Sequence, residues 1–331
     1  MSGRLTLSWV GKERALISDG SGGYRWVDPD DVRAREVRLL EPVGCVGDAS
    51  GAPDDNLLIR GDDLDAMRAL AHIPEYARVY RGKVKLVYID PPFNTRQAFE
   101  HYDDSLEHSV WLSMMRERLE AIRDLLAPDG SVWVHLDDAE MAYCKVLMDE
   151  VFARRNFVAT VVWQKADSPR NSARYLSVDQ DYMLVYASDA ERWRPIKLAR
   201  SDADDAKYTN PDDDPRGPWL SGDLRANKPY SLGRYSVVGP NGRVFEPPPG
   251  RYWRVSQEAF DSLNAEGRIW WGPTGDALPT LKRFLTDVGD LVPRTLWLGQ
   301  DVGSNRSSNN EMRALFPEQE PFSTPKPERL L

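Results

Sequence analysis

The stretch KVKLVYIDPPFNT, residues 83–95, decides the fold. Its mostly apolar run, Val84–Ile89, drives straight into an acid, two prolines and an aromatic. Such a run, apolar on both faces, reads as a strand at the centre of a parallel sheet. In an open α/β sheet, ligands bind beyond the carboxyl ends of the strands. Asp90 sits at such an end, where a carboxylate can reach an open rim instead of being buried unpaired. Pro91 and Pro92 stiffen the turn and remove two N–H donors, while Pro91 keeps a carbonyl of restricted direction as an acceptor. Phe93 offers an aromatic face at the same rim. Taken alone, the four residues fit a tight strand-end turn equally well.

Working outward, NLLIRGDDLDAMRAL (56–70) reads as a short strand, a Gly-Asp turn and an amphipathic helix. SVWLSMMRERLEAIRDLL (109–126) places Trp111, Met115, Leu119, Ile122 and Leu126 at helical spacing, and Pro128-Asp129-Gly130 stops it. SVWVHLD (131–137) is the next strand and AEMAYCKVLMDEVFARR (139–155) the next helix. FVATVVWQK (157–165) and DYMLVYAS (181–188) are two further strands joined by a polar loop. This alternation predicts an open, mostly parallel α/β sheet. Residues 1–55 read as an irregular extension: RLTLSWVGKERALI alternates like an edge strand or hairpin, and SDGSGGY is a turn or loop. From about residue 190 the texture changes to Pro, Gly, Trp and Arg, as in NPDDDPRGPW (210–219), EPPPGRYWR (246–254) and GRIWWGPTGDALPT (267–280). The expected division is therefore 1–55, an α/β core at 56–189, a second β- and loop-rich domain at 190–320, and a last segment at 321–331.

The 331 residues suffice for two domains, and a 41% hydrophobic content supplies a packed core. The absence of an 18-residue apolar run and of a signal-like start leads to an expectation of a cytoplasmic protein without a membrane partner. The two cysteines, Cys45 and Cys144, make no disulfide framework or zinc knuckle, and the four histidines make no HxxxH or HExxH pattern. No metal site is expected. The net charge of −9 argues against nucleic acid at first sight. Its distribution matters more: residues 1–189 hold 23 Lys and Arg against 32 Asp and Glu, while 190–320 hold 18 against 19. Near-neutral with many Arg is compatible with local phosphate contacts.

A carboxylate, an oriented carbonyl and a stacking ring together suit one chemical problem. An exocyclic amine on a nucleobase is a poor nucleophile, because its lone pair is delocalised into the ring. Two acceptors hold its hydrogens and favour rehybridisation of the nitrogen as it attacks an electrophile, while the aromatic holds the base flat. A base inside a duplex must be flipped out to reach such a pocket, at a cost of roughly a few kcal/mol. Stacking returns about 1–3 kcal/mol per base.

VYIDPPFNTRQAFEHYDDS, with NLLIRGDDLDAMRAL before it and RLEAIRDLLAPDGSVWVHLDD after it, resembles the β-class DNA adenine-N6 methyltransferases, and most of all the Mod subunits of type III restriction–modification systems. NPDDDPRGPW, GRYWR, GRIWWG and PTLKRFL resemble segments lying between that family's catalytic motifs, and FSTPKPERLL (322–331) resembles the motif that begins its cofactor lobe. The resemblance implies a Rossmann-like methyltransferase sheet with an inserted target-recognition domain. It makes Asp90, Pro91, Pro92 and Phe93 the catalytic motif, with Phe93 where the family often has Tyr. Asp rather than Ser at position 90 leans toward adenine N6 over cytosine N4. It implies S-adenosylmethionine as donor, with Gly61, Asp62, Thr324, Lys326 and Pro327 on the cofactor side. For Asp62 or Asp63 an N-cap of the following helix fits equally well. The family's Gly-rich cofactor loop follows the KPERLL segment and is not found here; SDGSGGY is a weak substitute. The expectation is an incomplete sheet with an open edge beside 84–89, in a fragment or a split enzyme completed by a second chain.

Asn94 and Thr95 are expected to brace the loop. Lys165, Arg170, Asn171 and Arg174, in KADSPRNSARYLSVDQD (165–181), are candidates for DNA contact, with a solvated loop as the alternative. In the second domain Arg216 with Trp219, Arg251 with Trp253, and Arg268 with Trp270 mix cations and aromatics that can grip DNA, though tryptophans in a small domain more often form the core. Asp137 and Asp138 occupy another strand end, where capping the next helix competes with a pocket role, and His135 reads as a satisfied structural residue. The implied partners are duplex DNA, a second copy of the chain and a restriction (Res) subunit. Two competing readings are a DNA-recognition or assembly module active only through partners, and a protein-amide methyltransferase; Asp90 and the large second domain weaken the latter.

Overall fold

The computed structural model describes residues 5–18, 23–47, 56–94, 107–319, 322 and 324–331. The chain forms two compact units, residues 1–194 with 294–331, and residues 195–293.

The first unit opens with a hairpin of β1 (Ala15–Ser18) and β2 (Tyr24–Val27), followed by a single turn of helix, α1 (Val32–Arg35). Then come α2 (Asp63–His72), α3 (Pro74–Tyr80), β3 (Val84–Ile89), α4 (His108–Leu125), β4 (Leu126–Leu136), α5 (Met141–Phe152), β5 (Phe157–Gln164) and β6 (Gln180–Ala187). Residues 56–60 form no strand, and Leu58 is 99% exposed. The apolar letters there find no neighbouring strand to supply ladder hydrogen bonds, so the expected strand does not form.

The second unit contains α6 (Asp202–Asp205), β7 (Trp219–Asp223), β8 (Arg225–Ala226), β9 (Val237–Val238), β10 (Val244–Phe245), β11 (Tyr252–Trp253), α7 (Gln257–Ala265), β12 (Ile269–Trp270) and β13 (Thr280–Phe284). Its strands are short and antiparallel, in three small sheets. Trp253, Phe260, Phe245, Trp271 and Leu224 form its own core, and Trp219 is also buried. After it, β14 (Leu296–Trp297), α8 (Gly299–Val302) and α9 (Asn305–Leu315) rejoin the first unit.

The central sheet has the order β14-β5-β6-β4-β3. Its β3–β4 and β14–β5 pairs are parallel, but β6 runs antiparallel to both β4 and β5. The sheet is therefore mixed rather than mostly parallel. The reason lies in the connection: β5 and β6 are joined by a loop without a crossover helix, and such a link favours antiparallel neighbours. The second correction concerns the central place that its apolar pattern suggested for β3: it is an edge strand of the described sheet, with Leu86 57% exposed, in line with the open edge expected beside 84–89.

The Pro-Asp-Gly sequence after α4 does end the helix, but extended backbone already begins at Leu126. Val84 pairs with Leu126 and Leu86 with Ser131, so residues 127–130 bulge out of the ladder. Proline cannot donate to a ladder and is accommodated by such a bulge. Gly130 is required there, since a Cβ would stand 2.6 Å from the Val84 carbonyl oxygen.

One face of the sheet is covered by α4 and α5. Trp111, Met115, Leu119 and Ile122 of α4 meet Leu147 and Met148 of α5 over Val132, Val134 and Leu136, all essentially buried. The other face packs Val161, Trp163, Met183 and Val185 against Leu330, with Trp133, Trp297 and Val302 at its margin. Side chains alternate along β3 and β4. Tyr88 therefore faces this second layer, and Asp90, two residues on, continues on the same side.

Candidate active site

The backbone after β3 turns through Asp90–Asn94 at the carboxyl edge of the sheet, and four of its five residues have a definite anchor. The Trp111 indole N–H, from the first turn of α4, donates to the Pro92 carbonyl at 2.7 Å. No described residue donates to the Pro91 carbonyl, so the turn keeps one of its two proline carbonyls as a free acceptor. Asn94 sits at φ 60°, in the left-handed region that asparagine tolerates better than most residues. Its side-chain amide donates to Glu140 Oε1 at 2.7 Å. The same oxygen lies 2.9 Å from His108 Nδ1. Glu140 is buried at the start of α5, so one carboxylate ties the turn to the starts of two helices.

Phe93 lies nearly parallel to the His135 ring, with centroids 5.7 Å apart and planes 28° from each other. His135 is fully buried in β4. Its Nδ1 is 2.5 Å from the Tyr88 hydroxyl, and its Nε2 is 3.5 Å from Asp181 Oδ2, longer than an ordinary hydrogen bond. A ring nitrogen facing a carboxylate carries the proton, which assigns Nδ1 as the acceptor from the Tyr88 O–H. Trp163 stands edge-on to the same ring at 5.4 Å. Lys165 Nζ donates to Asp181 Oδ1 at 2.6 Å. Burial pushes the Asp181 carboxyl up, but contact with His135 and Lys165 outweighs it and holds the group below the usual carboxylate range. Burial, with the nearby charges of Asp90 and Asp181, pushes the Tyr88 phenol well above its ordinary value.

Asp90 points to the rim with a side chain 36% exposed. Lys326 donates to its Oδ2 at 2.6 Å, and the same ammonium stands 5.4 Å from the Phe93 ring centroid. A half-exposed pair of this kind is worth about 0–1 kcal/mol, so it orients more than it stabilises. It does bring the C-terminal segment onto the rim. Pro327 is buried beside Gly303, where a Cβ would come within 2.6 Å of the proline ring; Thr324 is exposed.

The remaining expected site residues are dispersed. Asp62 is the N-cap of α2, accepting from Leu64 N–H at 2.9 Å and Asp65 N–H at 3.3 Å, and its other oxygen accepts from Arg118 at 3.1 Å. Gly61 precedes it in the exposed approach to the helix. Lys165 is taken up by Asp181, whereas Arg170, Asn171 and Arg174 are exposed, Arg174 over the Tyr175 ring at 5.1 Å. Thr95 lies outside the described residues. Asp137 accepts from the Ala139 N–H at 2.8 Å. In the second unit Arg216 is spent on Asp214 and two carbonyls, while Arg251 is exposed along a cleft. Trp219 and Trp253 are core residues. Sequence reading missed Glu140, Trp111, Tyr88 and Asp181 as parts of the site. An acid inside the "DDAE" run after β4 was the visible sign of Glu140, but nothing local marks which of the three acids turns inward.

A family profile described as DNA methylase of the N6/N4 type matches residues 84–331. The StyLTI Mod subunit of a type III restriction–modification enzyme from Salmonella typhimurium is 29% identical over 307 residues, covering 83% of this chain and 45% of that protein. The type II methyltransferase M.EcaI from Enterobacter cloacae is 33% identical over 304 residues, covering 89% of this chain and 61% of that protein. Among solved structures, the cytosine-N4-specific PvuII DNA methyltransferase aligns at 15% identity with a TM-score of 0.27, over 41% of this chain and 56% of that one. The chain thus spans about half the length of the curated relatives it matches. With the profile covering its sheet, its rim and its C-terminal segment, the chain belongs to the N6/N4 DNA methylase family.

Proposed function

We propose that this chain carries the target-base half of an S-adenosylmethionine-dependent DNA methyltransferase acting on adenine N6. The observation that supports it most is the Asp90–Phe93 turn: a rim carboxylate, a free proline carbonyl and an aromatic ring backed by a buried imidazole, all on one braced loop. Asp90 and the Pro91 carbonyl accept the two hydrogens of the exocyclic amine. That contact draws electron density toward the nitrogen and turns its lone pair out of the ring plane. Phe93 stacks the flipped base, worth about 1–3 kcal/mol, and His135 keeps the phenyl ring from yielding. Asp90 is also the group placed to take the proton the amine loses.

The donor would be held on the C-terminal side of the rim by Thr324, Lys326 and Pro327. The Lys326–Asp90 contact supports this fit, since it sets a residue of that segment directly beside the acceptor acid. Asp62 fits less well, because both its oxygens already serve α2 and Arg118. When bound, the donor supplies a methyl group on a sulfonium; the carbon–sulfur bond breaks as the carbon–nitrogen bond forms. Duplex DNA as substrate, a dimer, a Res-type partner, and a Gly-rich cofactor loop supplied from further chain or a second polypeptide complete the proposal.

The test is transfer of labelled methyl from S-adenosylmethionine to duplex DNA, followed by nucleoside analysis. We expect N6-methyladenine from a protein that also carries the Gly-rich loop, and none from residues 1–331 by themselves. N4-methylcytosine as the product would overturn the base assignment, and full activity of residues 1–331 alone would overturn the division of labour.

A further inference from the structure

Some cations of the second unit are paired with carboxylates and others are not. Arg216, Arg225, Arg268 and Lys282 are each locked to carboxylates, on Asp214, Asp223, Asp287 with Glu266, and Asp212 with Asp214. Lys228, Arg234, Arg251 and Arg254 are exposed, and none has a carboxylate within ion-pair distance among the described residues. These four gather around one strand. Trp253 of β11 points into the core, so Tyr252 and Arg254 point outward together. Arg234 lies over the Tyr252 ring at 4.8 Å and donates to its hydroxyl at 3.2 Å. Arg254 donates to the Arg225 carbonyl at 2.7 Å, which fixes its Nε and leaves the outer guanidinium nitrogens free. Two open clefts flank the strand. Lys228, Tyr230 and Arg254 line one of about 460 Å³, and Arg234, Arg251 and the Pro247–Pro249 wall line another of about 590 Å³. Glu246 is the one acid lining either cleft, and it accepts from Ser236 at 3.0 Å.

We propose that this double cleft is where the second unit grips the phosphate backbone of duplex DNA, with Lys228, Arg234, Arg251 and Arg254 as the phosphate contacts. The proposal rests on the DNA methylase reading above and assigns a surface that reading leaves open. A cation already paired must break that pair before it can meet a phosphate; an unpaired, exposed one meets it at the cost of released counterions alone, which favours binding. Tyr230 and Tyr252 add phenol donors of the kind used on phosphate and sugar. Lys197, Arg243 and Arg283 are also exposed without an ion pair among the described residues, but none of them lines either cleft.

The experiment is fluorescence anisotropy of a labelled duplex of arbitrary sequence with residues 1–331, across a salt series. Replacing all four (K228Q, R234Q, R251Q and R254Q together) is expected to weaken binding at least tenfold and to lower the slope of log affinity against log salt by about four. The charge-keeping replacement R234K/R251K/R254K is expected to retain most of the binding, which separates lost charge from lost folding. Removing four exposed cations of the first unit instead (R35Q, R78Q, R81Q and R123Q) is expected to change affinity less than threefold. Equal losses in the two four-site variants, or an unchanged salt slope in the first, would overturn the groove. No duplex binding by the unaltered chain would instead count against the DNA methylase reading on which it rests.

Discussion

The Asp90–Asn94 turn and the double cleft of the second unit treat charge in opposite ways. At the turn the three side chains other than the prolines each have a partner: Asp90 has Lys326, Phe93 has His135, Asn94 has Glu140. Around Tyr252, by contrast, four cations have no carboxylate. The difference follows from the work proposed for each. A group that must hold two hydrogens of one amine has to be fixed to within a fraction of an ångström, and only a braced shell does that. A grip on a repeating backbone needs charge left unspent, and tolerates loose side chains. The first region should therefore respond to small changes of geometry, the second only to changes of charge.

The sharpest break in this comparison is Asp90→Ala in a protein completed with the Gly-rich loop. Methyl transfer is expected to fall by about 10²–10⁴-fold, the usual weight of a positioned proton acceptor, while duplex affinity stays within threefold. Asp90→Asn separates charge from shape, and is expected to lose nearly as much. A parallel loss of transfer and DNA binding in both variants would mark Asp90 as structural.

Within the second unit itself, Lys282 shows what a spent cation does. It is 6% exposed, donates to Asp214 at 2.8 Å and to Asp212, and stands 5.5 Å from the Trp219 ring. Arg216, with Lys282 in support, holds the Asp214 carboxyl far below the usual range. Lys282→Ala leaves two carboxylates facing each other and is expected to destabilise the unit by about 3 kcal/mol in urea unfolding. Removal of an unpaired neighbour such as Arg251 is expected to cost less than about 0.5 kcal/mol. Equal costs would erase the distinction between the two sets of cations.

Much of the proposed site was legible in the sequence, because the residues proposed for catalysis are consecutive. Asp90, the two prolines and Phe93 are consecutive, and an apolar strand before a Pro-rich turn places them at a rim without knowledge of any contact. Helices α4 and α5 and strands β5 and β6 were legible for the same reason: their periods are short-range. Whatever depends on distant partners was not. The insertion of β6 between β4 and β5 and the return of β14 to β5 are choices among pairings that hydrophobic pattern alone does not rank. The second unit was expected at 190–320, whereas residues 294–319 pack with the first, because β14 finds its partner more than 130 positions back. Which cations stay free was not legible for a related reason, since pairing is a property of the folded surface: of the three arginines named there for DNA contact, Arg216 and Arg268 are spent on carboxylates and Arg251 is not, while Lys228, Arg234 and Arg254 were not named.

The His135 layer beneath the turn sharpens the comparison through pH. Asp181 titrates lower in the folded protein than unfolded, so its contribution is complete above the unfolded value and drains away as pH falls through the folded one. Asp181→Asn is expected to lower stability by about 1–3 kcal/mol at neutral pH, because the amide removes the negative charge that faces both Lys165 and His135. Thermal unfolding across pH is expected to show the two proteins converging as the buffer passes below the ordinary carboxylate range. A gap that stays constant well below that range would mean that packing, not charge, makes Asp181 matter.

The smallest expected effect tests the brace itself. Trp111→Phe keeps a large ring in the core of α4 but deletes the N–H that holds the Pro92 carbonyl. The lost hydrogen bond is worth about 1 kcal/mol, and the smaller ring leaves part of a fully buried site unfilled, so a total near 2 kcal/mol is expected in urea unfolding. Activity gives the more telling reading. With Pro92 released, the neighbouring Pro91 carbonyl loses its fixed direction, while Asp90 and the ring of Phe93 remain. The completed enzyme is therefore expected to lose turnover with little change in its affinity for duplex DNA, since a misaimed acceptor affects the attacking amine and not the grip on the backbone. If Trp111→Phe lowered stability and left turnover intact, the direction of the Pro91 carbonyl would be set by the proline rings alone.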